Sequence, residues 1–270
     1  MVNLESALYQ IGRLDAMSSQ DSPVHRLDPR AKVVTTLAFI IALASFGKYE
    51  LSGLLPLVVY PVVLVSIGNL PPLYFIRKLI LAAPFVLFVG LFNPIFDRET
   101  LVRVGPVALS GGWVSFFSIL LRFVLSVSAA LILVAITGFY SMCLALERLR
   151  VPRPFVLQLL FLYRYLFVLV GDALRMVRAH SLRAGRPGGM KLRVMGSVAG
   201  HLLLRAMDRA HRIHQAMLCR GFNGEIRLLR RLKLRFADVA FVLGWAVFFV
   251  VVRLWNLPHA LSTLVMGPNV

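Results

Sequence analysis

The sequence predicts an all-α integral membrane protein, with about five transmembrane helices and a cytoplasmic domain of long amphipathic helices. Of its 270 residues, 59% are hydrophobic, and the mean hydropathy is +0.78. A water-soluble domain is seldom so apolar. The formal net charge of +18 is also typical of a nucleic-acid-binding protein, but such a protein is seldom so apolar. We therefore assign the basic residues to the cytoplasmic side of a membrane, where they face anionic lipid and set the orientation.

Five apolar runs are long enough to span a bilayer, which takes about 20 mostly apolar residues. They cover residues 31–47, 51–68, 79–96, 114–139 and 236–255. We expect Pro56, Pro61 and Pro84 to bend their spans. Arg122 lies inside the fourth run, where a charge is costly. We expect this arginine to have a structural role, either reaching outward to the interface or pairing inside the helix bundle.

The distribution of basic residues predicts an inside N-terminus and an outside C-terminus. Basic residues precede the first run and separate the second from the third, whereas the outer loops carry balanced charges. The predicted segments are a cytoplasmic or interfacial N-terminus (1–30), four transmembrane helices (31–140), a cytoplasmic domain (141–235), and a last span with an external C-terminus (236–270). The first 30 residues contain four acidic residues and no continuous apolar core, so we expect no secretory signal. Cys143 and Cys219 are expected to be free thiols.

The predicted cytoplasmic domain is strongly basic, with 19 lysines and arginines against four acidic residues. Residues 155–171 are apolar enough to enter a bilayer, but Arg164 at their centre makes a lipid-facing span costly. We interpret them as an amphipathic helix at the inner interface. From Met195 to Met217, apolar residues recur in steps of three and four, which indicates one stripe of a second helix. We expect that stripe to pack on the membrane domain or on a partner.

Both predicted helices end on an arginine that is followed closely by glycine. Glycine just past a helical pattern is the usual C-terminal stop, because it tolerates the left-handed conformation. Gly185 therefore places Arg183 in the last turn of the first helix, and Gly221 places Arg220 in the last turn of the second. A cation there complements the helix dipole by about 0.3–1 kcal/mol, but two such arginines also suit carboxylate-lined grooves, because a guanidinium offers paired planar donors.

Five stretches resemble the transmembrane T component of energy-coupling factor transporters, in particular the CbiQ-type family of cobalt and nickel uptake systems. They are HRLDPRAK (25–32), TGFYSMCLALERLRVPRP (137–154), FLYRYLFVLVGDALRM (161–176), SLRAG (181–185) and AMLCRGFNGEIR (216–227). SLRAG and AMLCRGFNGEIR resemble the two arginine motifs of the family. The first reads Leu182, Arg183, Ala184 with glycine one place later. The second has Cys219 before Arg220 and Gly221, where alanine is common.

The resemblance implies a non-catalytic subunit of an importer, multi-pass in the inner (cytoplasmic) membrane of a bacterium or archaeon. In that family the T component holds a substrate-binding membrane subunit and two ATPase subunits. Its two arginine-ended helices dock in grooves of the ATPases. The resemblance further implies that the ATPases bind ATP and magnesium, that the substrate subunit binds cobalt or nickel, and that this chain itself holds no cofactor. On this hypothesis Arg183 and Arg220 pass the closure of the ATPases to the membrane part.

The sequence gives little support for a nucleotide-binding site or a metal site in this chain. The chain has no GxxxxGK[ST] phosphate loop, and GRPGG (185–189) is expected to form a turn. His201, His211 and His214 share the second helix with Asp208. Steps of three drift around a helix axis, so we expect solvated side chains here and no metal cage.

Three alternative functions stay open at this point. A T component that serves vitamins would share the arginine motifs. A stand-alone secondary carrier would need ionisable groups near the bilayer midplane and a repeat between halves, and the spans show Arg122 and no evident repeat. A membrane-bound enzyme would need paired carboxylates or a histidine cage within the spans.

Overall fold

Helices dominate the computed structural model, which describes residues 12, 15, 17–47, 50–92, 100–104, 107–184, 192–224 and 234–254. The predicted all-α fold is confirmed. In chain order the helices are α1 (Pro29–Ser45), α2 (Leu51–Leu54), a 3-10 turn (Pro56–Val58), α3 (Val59–Ile67), α4 (Pro72–Leu91), α5 (Gly111–Thr137), α6 (Phe139–Arg148), α7 (Arg153–Ala184), α8 (Leu192–Cys219) and α9 (Phe236–Leu254).

The second predicted span is not one continuous helix. Residues 51–68 divide into α2, the 3-10 turn and α3, and the turn begins at Pro56. Proline has no N–H to donate to the preceding turn, so it favours a break there. Pro84, by contrast, lies inside α4. The end of the third predicted span, residues 93–96, lies outside the described residues.

Three described helices are both long and apolar enough to cross a membrane. They are Gly112–Thr137, Arg153–Arg183 and Phe236–Leu254. The stretch Pro56–Ile67 is also helical and apolar, but it is shorter. Large apolar side chains on other helices face outward as well, with Leu81 76% exposed. These features are those of a membrane protein. Since α7 meets the same criterion of length and composition, the interfacial placement of 155–171 stays a prediction.

A short hairpin stands where the sequence predicted an outer loop. Strands β1 (Thr100–Val104) and β2 (Val107–Ser110) pair antiparallel, with an irregularity between Thr100 and Val102. β-branched residues favour the extended conformation. The all-α expectation therefore omitted a local element between α4 and α5.

The chain divides into two compact units. One, here the apolar unit, comprises residues 16–138 and 232–270; the other, here the basic unit, comprises residues 1–15 and 139–231. The apolar unit contains α1 to α5, the hairpin and α9. The basic unit contains α6, α7 and α8. The four segments predicted from the sequence stay a prediction.

Aromatic side chains form the centre of the apolar unit. Phe39 of α1 stacks on Tyr60 of α3, with ring centroids 4.5 Å apart. Trp245 of α9 meets the Tyr60 ring edge-on at 4.8 Å. The Tyr60 hydroxyl is satisfied by Thr36 Oγ1 at 2.8 Å, as a buried phenol requires. This cluster joins α1, α3 and α9.

Arg122 pairs inside the apolar unit, which is one of the two structural roles predicted for it. The guanidinium, on α5, donates to the carbonyl oxygens of Phe46, at 2.9 Å, and of Gly47. Both carbonyls follow the last residue of α1. Helix ends leave carbonyls without intrahelical partners and carry partial negative charge. Arg122 therefore closes the end of α1.

We expect Arg122→Met to destabilise the protein by about 1.5–3 kcal/mol, the usual contribution of hydrogen bonds to a charged group. Arg122→Lys keeps the charge but loses the fork, so an intermediate effect is expected. The measurement is thermal unfolding of the purified protein in detergent. Arg164→Met, at an exposed position of α7, is the matched control and should change little. Equal melting temperatures of the Arg122→Met and Arg164→Met variants would contradict this role of Arg122.

Candidate functional site

The first candidate site residue, Arg183, lies in the last turn of α7, as predicted. Its side chain is exposed, and the neighbouring Leu182 is 79% exposed. Ala184 is the last residue of the helix. Gly185, the predicted stop, lies outside the described residues. The structure therefore presents Arg183 to solvent at a helix end.

The end of α8 is closed by a glycine, as the sequence predicted. Gly221 has φ +77°, in the left-handed region that favours glycine. Its N–H donates to the Leu218 carbonyl at 3.0 Å, and the N–H of Phe222 donates to the Met217 carbonyl at 3.0 Å. This pair of bonds is the Schellman motif. The helix stops because two of its last carbonyls are satisfied by the reversed chain.

Arg220 occupies a slightly different place from the one predicted. The last helical residue is Cys219, so Arg220 follows the last turn instead of lying within it. Its N–H still bonds to the Met217 carbonyl at 3.1 Å, and its side chain is exposed. Cys219 is exposed and free, and Cys143 is buried and free. The Schellman turn therefore fixes the backbone from which Arg220 projects.

We expect Gly221→Ala to cost about 1–2 kcal/mol, the penalty of a left-handed conformation for an L-residue with a Cβ. No heavy atom lies within 4 Å of the added Cβ, so the cost comes from the backbone alone. Gly196→Ala is the matched control, because Gly196 lies inside α8 and is equally uncrowded. It should stabilise by about 0.5–1 kcal/mol. Thermal unfolding should therefore shift in opposite directions, and shifts of the same sign would contradict this account.

The apolar stripe of α8 packs against α7. A cleft of about 370 Å³ between the two helices is lined by Tyr165 and Leu169 of α7 and by Ile213 and Met217 of α8. Phe222, the residue after the Schellman glycine, lines the same cleft. The expectation that this stripe meets the membrane domain or a partner is corrected here, because its second half covers the neighbouring helix of the same unit.

A buried carboxylate joins the two helices at one side of the cleft. Asp172 of α7 is 6% exposed, and its Oδ2 accepts from Arg209 of α8 at 2.9 Å. Its Oδ1 accepts from Arg175, one turn further along α7. Charged groups this buried are found paired. The Asp172–Arg209 bond therefore fixes where α7 and α8 meet.

The two arginine ends follow this bond at equal intervals along their helices. Arg183 follows Asp172, and Arg220 follows Arg209, by the same interval of about three turns, or about 16 Å at 1.5 Å per residue. A whole number of turns returns a residue to the same helix face. Early residues of α7 and late residues of α8 share the cleft, so the helices run antiparallel there. Arg183 and Arg220 consequently lie on opposite sides of their common bond, each further along its own helix.

The structure keeps the predicted site residues apart and reveals two residues that sequence reasoning missed. Asp172 and Arg209 carried no signal as a pair, since they are distant in sequence and both polar. The low number of acidic residues in 141–235 could have singled out Asp172. Within the described residues, no three histidine, cysteine or acidic side chains are grouped so as to hold a metal ion.

Comparisons with known proteins point to membrane transport. The family described as cobalt transport protein, CbiQ, matches residues 20–231. The energy-coupling factor transporter transmembrane protein EcfT of Heliobacterium modesticaldum is 29% identical, over 87% of this chain and 94% of its own. EcfT of Lactococcus lactis is 26% identical over the same shares. The cobalt transport protein CbiQ of Rhodobacter capsulatus is 36% identical over 31% of this chain and 35% of its own.

Proposed function

Because the chain belongs to the CbiQ family of cobalt transport proteins, we propose that it is the transmembrane coupling subunit of an energy-coupling factor importer. The subunit is itself non-catalytic. Two ATPase subunits bind ATP and magnesium and dock on the basic unit, and a substrate-binding membrane subunit associates with the same chain. ATPase closure then reaches the substrate subunit through α7 and α8.

The observation that carries this proposal is the display of Arg183 and Arg220. Both side chains are exposed, both stand at the end of a long helix, and they lie on opposite sides of the Asp172–Arg209 bond. A helix transmits displacement along its axis with little bending. An arginine fork can bind a carboxylate-lined groove through two parallel hydrogen bonds. The pair therefore suits two separate acidic grooves, one on each ATPase.

The substrate that we propose is cobalt or nickel, bound by the substrate subunit. The family description and the short match to a cobalt transport protein support a metal. A vitamin is the second candidate, because the relatives matched over most of their length are named for energy coupling without a metal. The basic residues before α1 and within 141–235 support a cytoplasmic-membrane location with the N-terminus inside.

The test is transport by the reconstituted complex. The chain is co-expressed with the ATPase and substrate subunits of its own genome, purified through a tag on this chain, and placed in liposomes. We expect the ATPases to co-purify and ATP to drive uptake of radioactive cobalt or nickel. Uptake of a vitamin instead would establish the second candidate. Uptake that continues without the ATPases would overturn the coupling role in favour of a secondary carrier.

A further inference from the structure

In sequence order the chain leaves the apolar unit after Gly138 and re-enters it at residue 232. The last turn of α5, before the exit, and the start of α9, after the re-entry, both contact the same short segment of the apolar unit. That segment is Leu27–Lys32, the LDPRAK part of the N-terminal signature, which the proposed function leaves without a role. Gly138 has φ +72° and follows the last residue of α5. The return leads into α9, which starts at Phe236.

Lys32 joins the end of α5 to this segment. Its side chain is on α1, and the residue is 2% exposed. Its Nζ donates to the Ile136 carbonyl at 3.0 Å and to the His25 carbonyl at 3.1 Å. Ile136 lies in the last turn of α5, where carbonyls lack intrahelical partners and attract a cation. A buried ammonium is costly unless it is hydrogen-bonded, so this geometry ties α1 to the end of α5.

Asp238 joins the start of α9 to the same segment. It is 2% exposed and lies in the first turn of α9. Its Oδ2 accepts the N–H of Arg235 at 2.7 Å, which caps the start of its own helix. Its Oδ1 accepts the N–H of Asp28 at 2.7 Å, and the Asp28 side chain in turn caps α1 through the N–H of Arg30 at 2.9 Å. The starts of α1 and α9 are thereby joined by one carboxylate.

We propose that Leu27–Lys32 is a two-point anchor within the apolar unit, which ties to α1 both the end of α5, before the chain enters the basic unit, and the start of α9, after it returns. Lys32 and Asp238 are then positioning residues for coupling. A displacement of α7 and α8 reaches the spans through the end of α5 and the start of α9, and a loose contact at either place would absorb it. This inference rests on the proposed function, because it gives the anchor a displacement to transmit.

The test compares Lys32→Met and Asp238→Asn in the reconstituted complex. Lys32→Met removes the two hydrogen bonds of the ammonium, and Asp238→Asn leaves one acceptor oxygen for the two N–H donors. Neither change alters the size of the side chain much. We expect substrate transported per ATP hydrolysed to fall by about twofold to thirtyfold, the range that single substitutions in a connecting network produce. The ATPases should still co-purify, since Arg183 and Arg220 are untouched. Lys32→Arg keeps the cation and its donors and should restore much of the ratio.

Two further variants separate positioning from folding. Asp21→Asn removes an exposed ion pair with Arg26, just before Leu27–Lys32, and is the control that should leave the ratio unchanged. If Asp238→Asn fails to assemble, Asp238→Glu keeps the reciprocal bond at the helix start but changes the distance to Asp28. A wild-type transport ratio in assembled Lys32→Met and in either assembled Asp238 variant would overturn the anchor.

Amide hydrogen exchange makes the two proposals independently testable. In the wild-type chain the Asp28 and Arg235 amides should be protected together, and Asp238→Asn or Asp238→Glu should accelerate exchange at Asp28. If ATP does not drive uptake by the wild-type complex, the proposed function fails while this result still tests the anchor geometry. If uptake depends on Arg183 and Arg220 but exchange at Asp28 is unchanged, the anchor alone is wrong.

Discussion

Replacing both Arg183 and Arg220 by alanine is expected to abolish ATP-driven uptake while the apolar unit stays folded. Truncating one partner of a hydrogen-bonded charge pair at an interface costs about 2–5 kcal/mol, so each single change should weaken ATPase binding about thirtyfold or more. Both side chains are exposed at helix ends, so little stability should be lost. The measurements are co-purification of the ATPases, transport in liposomes, and thermal unfolding of the chain alone.

Two matched controls sharpen this experiment. Arg212→Ala removes an exposed arginine about two turns before the end of α8. It should leave ATPase binding nearly unchanged, which would exclude a general effect of charge. Arg183→Lys and Arg220→Lys keep the charge but lose the planar fork, so intermediate binding is expected. Normal uptake and normal co-purification in the double alanine variant would show that the two arginines serve only the helix dipoles, and the coupling role would be wrong.

The second large effect is expected at the bond between α7 and α8. Asp172→Asn removes the negative charge that holds Arg209, and Arg175 is left beside Arg209 with no intervening anion. The Asp172 side chain is buried, whereas that of Arg209 is 34% exposed, so we expect a loss of about 1–3 kcal/mol, between the values for exposed and buried pairs. The angle between the helices should then be poorly fixed.

Distances between spin labels at positions 182 and 218 measure this directly. Leu182 and Leu218 are exposed, and the exposed Cys219 is first replaced by serine so that it takes no label. Asp172→Asn should broaden the distance distribution and lower the uptake per ATP hydrolysed. Arg175→Gln is the control, since Arg175 is 75% exposed and belongs to the same helix as Asp172. An unchanged distribution in Asp172→Asn would show that apolar packing alone fixes the two helices.

The sequence was sufficient for features that depend on neighbouring residues. The apolar runs predicted the membrane class, because a helix of about 20 apolar residues can cross a bilayer with its backbone hydrogen bonds made within the helix. The Gly221 stop was predicted correctly, since the left-handed conformation and its hydrogen bonds involve residues close in sequence. The end position of Arg183 followed in the same way from its local pattern.

Tertiary structure decided what each buried polar group contacts. Arg122 meets the end of α1, Asp172 meets Arg209, and Asp238 meets the backbone of Asp28. The partner of the α8 stripe, the neighbouring α7, was decided in the same way. Hydrophobic periodicity shows which face of a helix is covered, but it does not show by what. Buried charges need specific partners, and here the chain supplies them between residues that only its fold brings together.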